Sequence, residues 1–169
     1  NNTVEVDKII INNNEKDSIL FIGTLYLEKG LQVLLNEYLE AYKINNNIHK
    51  LNIVGGGNEF ENVKLWIERN NLQRKITLLG PIYDNKQKSE IFAKSYACFS
   101  PLQAGLSVLE SFGYGVPFVT TKDAITGGEI FNIENMVNGI KLENVNTIKD
   151  VILDISNNPK KYLDMGEQA

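Results

Sequence analysis

Six short apolar runs alternate with longer amphipathic segments along the whole chain, and this alternation constrains the fold more than any other feature. Short apolar runs separated by helix-length segments are the pattern of parallel strands joined by helical crossovers. The runs lie at Ser18 to Ile22, Leu51 to Val54, Ile76 to Leu79, Ala97 to Ser100, Phe118 to Thr121 and Gly139 to Leu142. After Lys29, the residues Leu31, Leu34, Leu35, Tyr38 and Tyr42 fall on one face of a helix. A second helix is predicted from Glu59 to Asn70 on Phe60, Val63 and Ile67, and a third from Asn85 to Ser95. A short fourth helix carries Glu110, a fifth uses Ile148, Val151, Ile152 and Ile155, and Pro159 can open a last one. The expected fold is α/β: a three-layer Rossmann-like domain, a parallel sheet of about six strands with helices on both faces, over residues 18–169.

Length and composition agree with one such unit, since 169 residues with 43% hydrophobic content suffice for a single core. The net charge is −4 and the Lys and Arg residues are dispersed, so there is no basic footprint for nucleic acid. Cys98 is the only cysteine and lies inside an apolar run, which rules out a disulfide within the chain and suits a reducing compartment. No apolar run approaches the ~20 residues of a membrane-spanning helix, and the Asn-rich start resembles neither a signal peptide nor an anchor. A cytoplasmic location is the expectation.

In open parallel sheets, ligands bind outside the carboxyl ends of the strands. The candidate loops therefore run from Gly23 to Gly30, Gly55 to Asn58, Gly80 to Asp84, Ser100 to Gly105 and Thr121 to Glu129. The stretch from Phe99 to Val119 carries the most chemistry. An apolar strand enters a turn at Gln103, Ala104 and Gly105, then a short helix closed by Gly115 and Pro117. At helical spacing Ser107, Glu110, Ser111 and Tyr114 form a polar stripe, expected to face outward, opposite Leu106, Leu109 and Phe112. A turn that opens a helix can hold phosphate on its amides. Glu110 can accept two hydrogen bonds from a vicinal diol. A ribose attached to a diphosphate offers both groups.

Taken in order, FIGTLYLEKG (Phe21 to Gly30), LNIVGGGNEF (Leu51 to Phe60), ITLLGPI (Ile76 to Ile82), SPLQAGLSVLESFGYGVPFVTT (Ser100 to Thr121) and GGEIFNIENMVNG (Gly127 to Gly139) resemble the carboxyl-terminal half of a glycosyltransferase of family 4. That group is retaining and has the GT-B fold of two facing Rossmann-like domains, of which this half holds the nucleotide-sugar donor. The resemblance implies a donor-binding domain of an enzyme that transfers a sugar to a glycan or lipid-linked acceptor in cell-surface polysaccharide biosynthesis. It places Glu110 on the nucleotide ribose, and Lys29 with Gly23 and Thr24 on the donor diphosphate. Phosphate oxygens would rest on the amides of Gly105, Leu106 and Ser107, the base on Pro81 and Ile82, and the sugar near Gln103 and Ala104. It implies no cofactor and no metal. The implied partners are the nucleotide sugar and an acceptor domain preceding this one in the same protein. The opening NNTVEVDK, Asn1 to Lys8, resembles the segment that joins the two halves, so residues 1–17 are expected to be an interdomain segment. Half an enzyme of this kind would be inactive alone, and peripheral membrane association of the longer protein is compatible with it.

Two positions depart from the family pattern. Thr24 stands where Arg is usual after the first-strand glycine, with Lys122 as a candidate substitute cation, and Leu102 stands where an earlier Glu contacts the transferred sugar. These departures favour a rival reading, a non-catalytic module that binds a nucleotide or a partner protein. A nucleotide-sugar epimerase of the same fold is a second rival. The triplet Gly55, Gly56, Gly57 invites a dinucleotide reading, but GxGxxG would need glycine where Phe60 stands. His49 has no second His or Cys near it for a metal and reads as a surface residue, and Trp66 as core or packing surface. Asp123, Glu129 and Glu134 are spread along a loop and its continuation, with Gly127, Gly128 and Glu129 read as a helix start near the donor.

Overall fold

In β1 (Ser18–Ile22) the side chains alternate between two separate cores: Ile19 and Phe21 enter one, Leu20 the other. The strand is therefore buried on both faces, whereas the edge strand at Ile76–Gly80 leaves Thr77 and Leu79 exposed. The computed structural model describes residues 3, 4 and 15–169. Beside β1 it contains β2 (Lys50–Val54), β3 (Ile76–Gly80), β4 (Ser95–Phe99), β5 (Phe118–Thr121) and β6 (Gly139–Leu142). All pair in parallel in the order β3-β2-β1-β4-β5-β6. The helices are α1 (Leu31–Ile44), α2 (Phe60–Arg69), α3 (Asn85–Ala93), α4 (Leu106–Gly113), α5 (Ile148–Asn157) and α6 (Pro159–Gln168). One core takes the apolar faces of α1, α2, α5 and α6, and the other takes α3, α4 and the short 3-10 helix Glu129–Asn132. This is the three-layer Rossmann-like arrangement expected from the sequence. The segment Asn1 to Lys8 lies almost wholly outside the described residues.

Two local differences from the sequence-based expectation have clear causes. β4 begins at Ser95 rather than Ala97, and α3 ends at Ala93. The Lys94 carbonyl accepts from the amides of Asp17 and Ser18 at 3.0 and 3.2 Å, and the Ser95 hydroxyl donates to the Ile91 carbonyl at 2.8 Å. The chain is thus captured by the start of β1 before the apolar run begins.

The second difference concerns α4. Its buried face contains Val108 and Ser111, followed by Tyr114 just past its end, while Leu106 is 54% exposed. Ser111 and Tyr114 therefore do not face outward. The Ser111 hydroxyl is satisfied inside the core by donating to the Val116 carbonyl at 2.8 Å, and the Tyr114 ring stacks on Phe92 at 4.6 Å. A buried serine with a backbone partner behaves as a small core residue, which periodicity alone cannot reveal. Cys98 is fully buried, and that burial pushes its thiol pKa well up. His49 is half-buried rather than a surface group: its ring lies 4.6 Å from that of Tyr96, and burial lowers its pKa. Trp66 packs partly buried against the larger core.

In this strand order the chain turns one way from β1 to β2 and the other way from β4 to β5. The loops leaving β1 and β4 diverge, and a crevice opens between them at the carboxyl ends of the strands.

Candidate functional site

Backbone hydrogen bonds tie the loops on one side of the crevice together before any side chain contributes. The Gly23 amide donates to Val54, the Leu25 amide to Gly56, and the Gly55 amide to Gly80, at 3.0, 3.0 and 2.9 Å. The Glu59 amide then returns to the Leu25 carbonyl at 3.1 Å. This close approach explains the glycine triplet. Gly55 has φ +150°, and a Cβ added there would overlap the Gly23 carbonyl oxygen. The triplet packs two loops together and is not a dinucleotide fingerprint.

Two adjoining cavities, of about 530 and 560 Å³, occupy the crevice. Ile22, Gly23, Thr24 and Glu110 line both, so Glu110 stands at their junction. The first is walled by the glycine loop, Pro81, Ile82, Tyr83 and Lys88. Ile22, Val54, Pro81 and Ile82 give it an apolar side that suits a planar heterocycle. The second is lined by Lys29, Gln103, Gly105, Leu106, Ser107, Ile125, Thr126, Gly127 and Glu129.

The second cavity brings one lysine and the start of a helix together with two carboxylates, Glu110 and Glu129. α4 opens there with Gly105 as its N-cap residue and no side-chain cap. The Val108 amide donates to the Gly105 carbonyl at 2.9 Å. The amides of Leu106 and Ser107, by contrast, have no carbonyl one turn earlier in the helix, and both residues line the cavity at the positive end of the helix dipole. Lys29 belongs to the 3-10 helix Leu27–Lys29 and not to the first turn of α1. Its side chain reaches back over the first loop, with Nζ 3.8 Å from the place of a Cβ on Gly23. Burial lowers its pKa, and among the described residues it joins no ion pair. A half-buried ammonium beside helix-terminal amides makes a place for an anion.

Glu110 is not the free carboxylate that an outward stripe implies. Lys88 on α3 donates to its Oε1 at 2.8 Å, and the two side chains are 20% and 16% exposed. Nothing in the sequence distinguishes Lys88 from Lys86. Docking of α3 on α4 makes the choice.

At the far end of the second cavity, Gln103 forms a β-bridge with Ile125. Ala104 falls outside the cavity: its side chain is fully buried, and its amide donates to the Ile125 carbonyl at 2.8 Å. The polar groups at that end include Thr126 and Glu129. Glu129 is buried and accepts from the Gly127 amide at 2.9 Å, while the Thr126 hydroxyl accepts from the amides of Gly128 and Ile130 at 3.0 and 3.2 Å. Leu102 packs toward the first loop instead. Gly30 has φ +77°, and a Cβ there would come within 2.7 Å of Leu102 Cγ, so glycine is required beneath that leucine. Lys122 lines neither cavity and pairs with Glu143 beyond the ends of β5 and β6. Among the described residues no group of three or more His, Cys, Asp or Glu side chains could hold a metal, and no helix is long and apolar enough to cross a membrane.

Known proteins share this fold. The family model of glycosyl transferases group 1 matches residues 4–169. Among solved structures, TarM of S. aureus, determined in mutant form in complex with fondaparinux, α-GlcNAc-glycerol and UDP, superimposes with a TM-score of 0.83 at 25% identity. The match covers 98% of this chain and 33% of TarM. The pneumococcal O-GlcNAc transferase GtfA, in complex with UDP and GlcNAc, gives 0.76 at 21% identity over 96% of this chain and 34% of GtfA. The C-terminal domain of a glycosyl transferase group 1 family protein, LpcC of Francisella tularensis, gives 0.72 at 17% identity, covering 89% of this chain and 80% of that domain. The chain therefore spans about a third of the length of TarM and GtfA. No curated protein matches it in sequence. A family match across nearly the whole chain, a six-stranded parallel sheet and a crevice at its switch point lead to one assignment: this chain belongs to the glycosyl transferases group 1 family, with the Rossmann-like fold of a GT-B domain.

Proposed function

We propose that this chain is the nucleotide-sugar donor-binding domain of a retaining, metal-independent glycosyltransferase of the cytoplasm, acting on a glycan or lipid-linked acceptor in polysaccharide biosynthesis. The observation that carries the reading is the place of Glu110. It lines both the cavity walled by Pro81 and Ile82 and the one that holds Lys29 and the start of α4, and a nucleoside diphosphate presents its ribose diol between a base and two phosphates. The base lies against Pro81 and Ile82. Glu110 accepts from the ribose hydroxyls, and the diphosphate rests on the amides of Gly105, Leu106 and Ser107 with Lys29 and Thr24 beside it. The sugar then extends toward Gln103 and Thr126. As the bond to the sugar breaks, negative charge grows on the departing diphosphate, and Lys29 with the α4 amides stabilises it. Such fixed positive groups take the place a divalent ion would otherwise fill, so EDTA should leave binding unchanged.

The UDP bound in the TarM and GtfA structures is the reason for choosing uridine diphosphate as the probe. Calorimetric titration of Glu110→Gln should show affinity about tenfold weaker than the unaltered chain, because a charged acceptor becomes a neutral one. Unchanged affinity with an intact circular dichroism spectrum would remove Glu110 from the site.

Leu102 favours a second reading. Packed against Gly30, it offers no carboxylate to the sugar, as a binding module without transfer would require. Joining the chain to a preceding acceptor domain separates the two: sugar transfer with retention at the anomeric carbon supports the enzyme, and tight nucleotide binding without transfer supports the module.

A further inference from the structure

We propose that Lys88 is a positioning residue that holds the Glu110 carboxylate in place for the ribose diol, and so sets how strongly the site prefers a ribonucleotide. The inference rests on the donor-binding reading above. Lys88 lines the apolar-walled cavity only, whereas Glu110 lines both, so the ammonium approaches the carboxylate from the nucleoside side. It engages Oε1 at 2.8 Å, which leaves the second oxygen and the remaining lone pairs for the two hydroxyls.

A glutamate side chain has several free torsions, and ordering it when ligand arrives costs affinity; a partner that orders it beforehand removes that cost. Lys88 can do this because its own helix is fixed to α4. Phe92 is fully buried and stacks on Tyr114 at 4.6 Å, and the Asp84 side chain caps α3 by accepting from the Gln87 amide at 2.9 Å. The pair is also too enclosed to be an ordinary surface contact, with the carboxylate 16% exposed. Removing one member leaves the other short of a partner in a poorly solvated place. The carboxylate then turns away from the diol to find water.

The test compares uridine diphosphate with 2′,3′-dideoxyuridine diphosphate, titrated calorimetrically into the unaltered chain, Lys88→Met, Lys88→Arg, Glu110→Gln and the double variant Lys88→Met/Glu110→Gln. The unaltered chain should prefer the ribonucleotide by about tenfold or more, the scale of a charged hydrogen bond. Lys88→Met should bring the ratio close to that of Glu110→Gln, Lys88→Arg should restore most of it, and the double variant should match Glu110→Gln. Circular dichroism and a thermal melt on each variant confirm that the fold persists. If Lys88→Met weakens both nucleotides equally and keeps the ratio, Lys88 is only a structural tie and the inference is overturned. A further fall in the ratio in the double variant overturns it as well, since Lys88 would then touch the ribose itself. If the unaltered chain does not distinguish the two nucleotides and Glu110→Gln changes nothing, the ribose assignment of Glu110 falls and takes the inference with it. Those three results cannot be confused.

Discussion

Gly55→Ala should destabilise the chain by about 3 kcal/mol or more and abolish measurable nucleotide binding, because a methyl group there has no room and an unfavourable backbone. The residue sits at φ +150°, and its added Cβ would overlap the Gly23 carbonyl oxygen. To fit the methyl, the loop after β2 must move away from the loop after β1. That movement breaks the bonds from Gly23 to Val54 and from Leu25 to Gly56, both 3.0 Å. The crevice loses its wall at the same time as the fold loses stability. Urea denaturation followed by circular dichroism reads the first effect, and titration of uridine diphosphate the second. Gly56→Ala is the control. Its Cβ would meet Pro81 at 3.5 Å, an ordinary contact, so its denaturation midpoint should stay near that of the unaltered chain. An equal midpoint for Gly55→Ala would show that the two loops need not approach so closely.

Lys29→Met should weaken uridine diphosphate binding by about one to two orders of magnitude, the range of a charge-assisted contact of ~1.5–3 kcal/mol. Uridine alone should bind as before, since it brings no phosphate. The dependence of diphosphate affinity on salt should flatten, because one cation no longer meets the anion. A pH effect follows from burial. Burial lowers the Lys29 pKa, so in the free chain the ammonium loses its proton at lower pH than an ordinary lysine does. A bound diphosphate favours the charged form. Affinity should therefore be full at neutral pH and fall as pH rises through that lowered pKa, with a proton taken up on binding across the interval. Lys29→Met should lose this alkaline decline. Stability runs the opposite way: the unfolded chain keeps its Lys29 proton to higher pH than the folded one, so this residue's contribution to stability rises across that interval. Equal losses for uridine and its diphosphate would mean that the substitution damaged the first loop, not the anion site.

Much of the fold was legible in the sequence because a parallel sheet buries both faces of its strands. Each strand then appears as a short apolar run, such as Ile19 to Ile22, and each crossover helix as a 3.6-residue stripe, such as Leu31, Leu34, Leu35 and Tyr38. Those patterns are local, and local burial writes them. Glu110 and Lys29 were legible for a related reason: in this class of fold, loops at the carboxyl ends of strands are forced to one side of the sheet. A charged residue in the loop or the first helical turns that follow a strand is placed at that end by topology before any packing is known.

What the sequence could not decide depends on which distant surfaces meet. Ser111 and Tyr114 read as polar and proved to be core, because a backbone carbonyl at Val116 and the ring of Phe92 accept them there. Lys122 and Lys88 are both lysines near the crevice in sequence terms. The first is taken by Glu143 and the second by Glu110, and only the seating of β6 and α3 determines which. By itself, then, the sequence determined the sheet, its helices and the end at which the crevice lies, since burial and chain direction are recorded residue by residue. The tertiary structure alone decided the partners of the charged groups and the joining of two cavities at Glu110, because hydrogen bonds and ion pairs act over about 3 Å between residues whose separation along the chain carries no record of their contact.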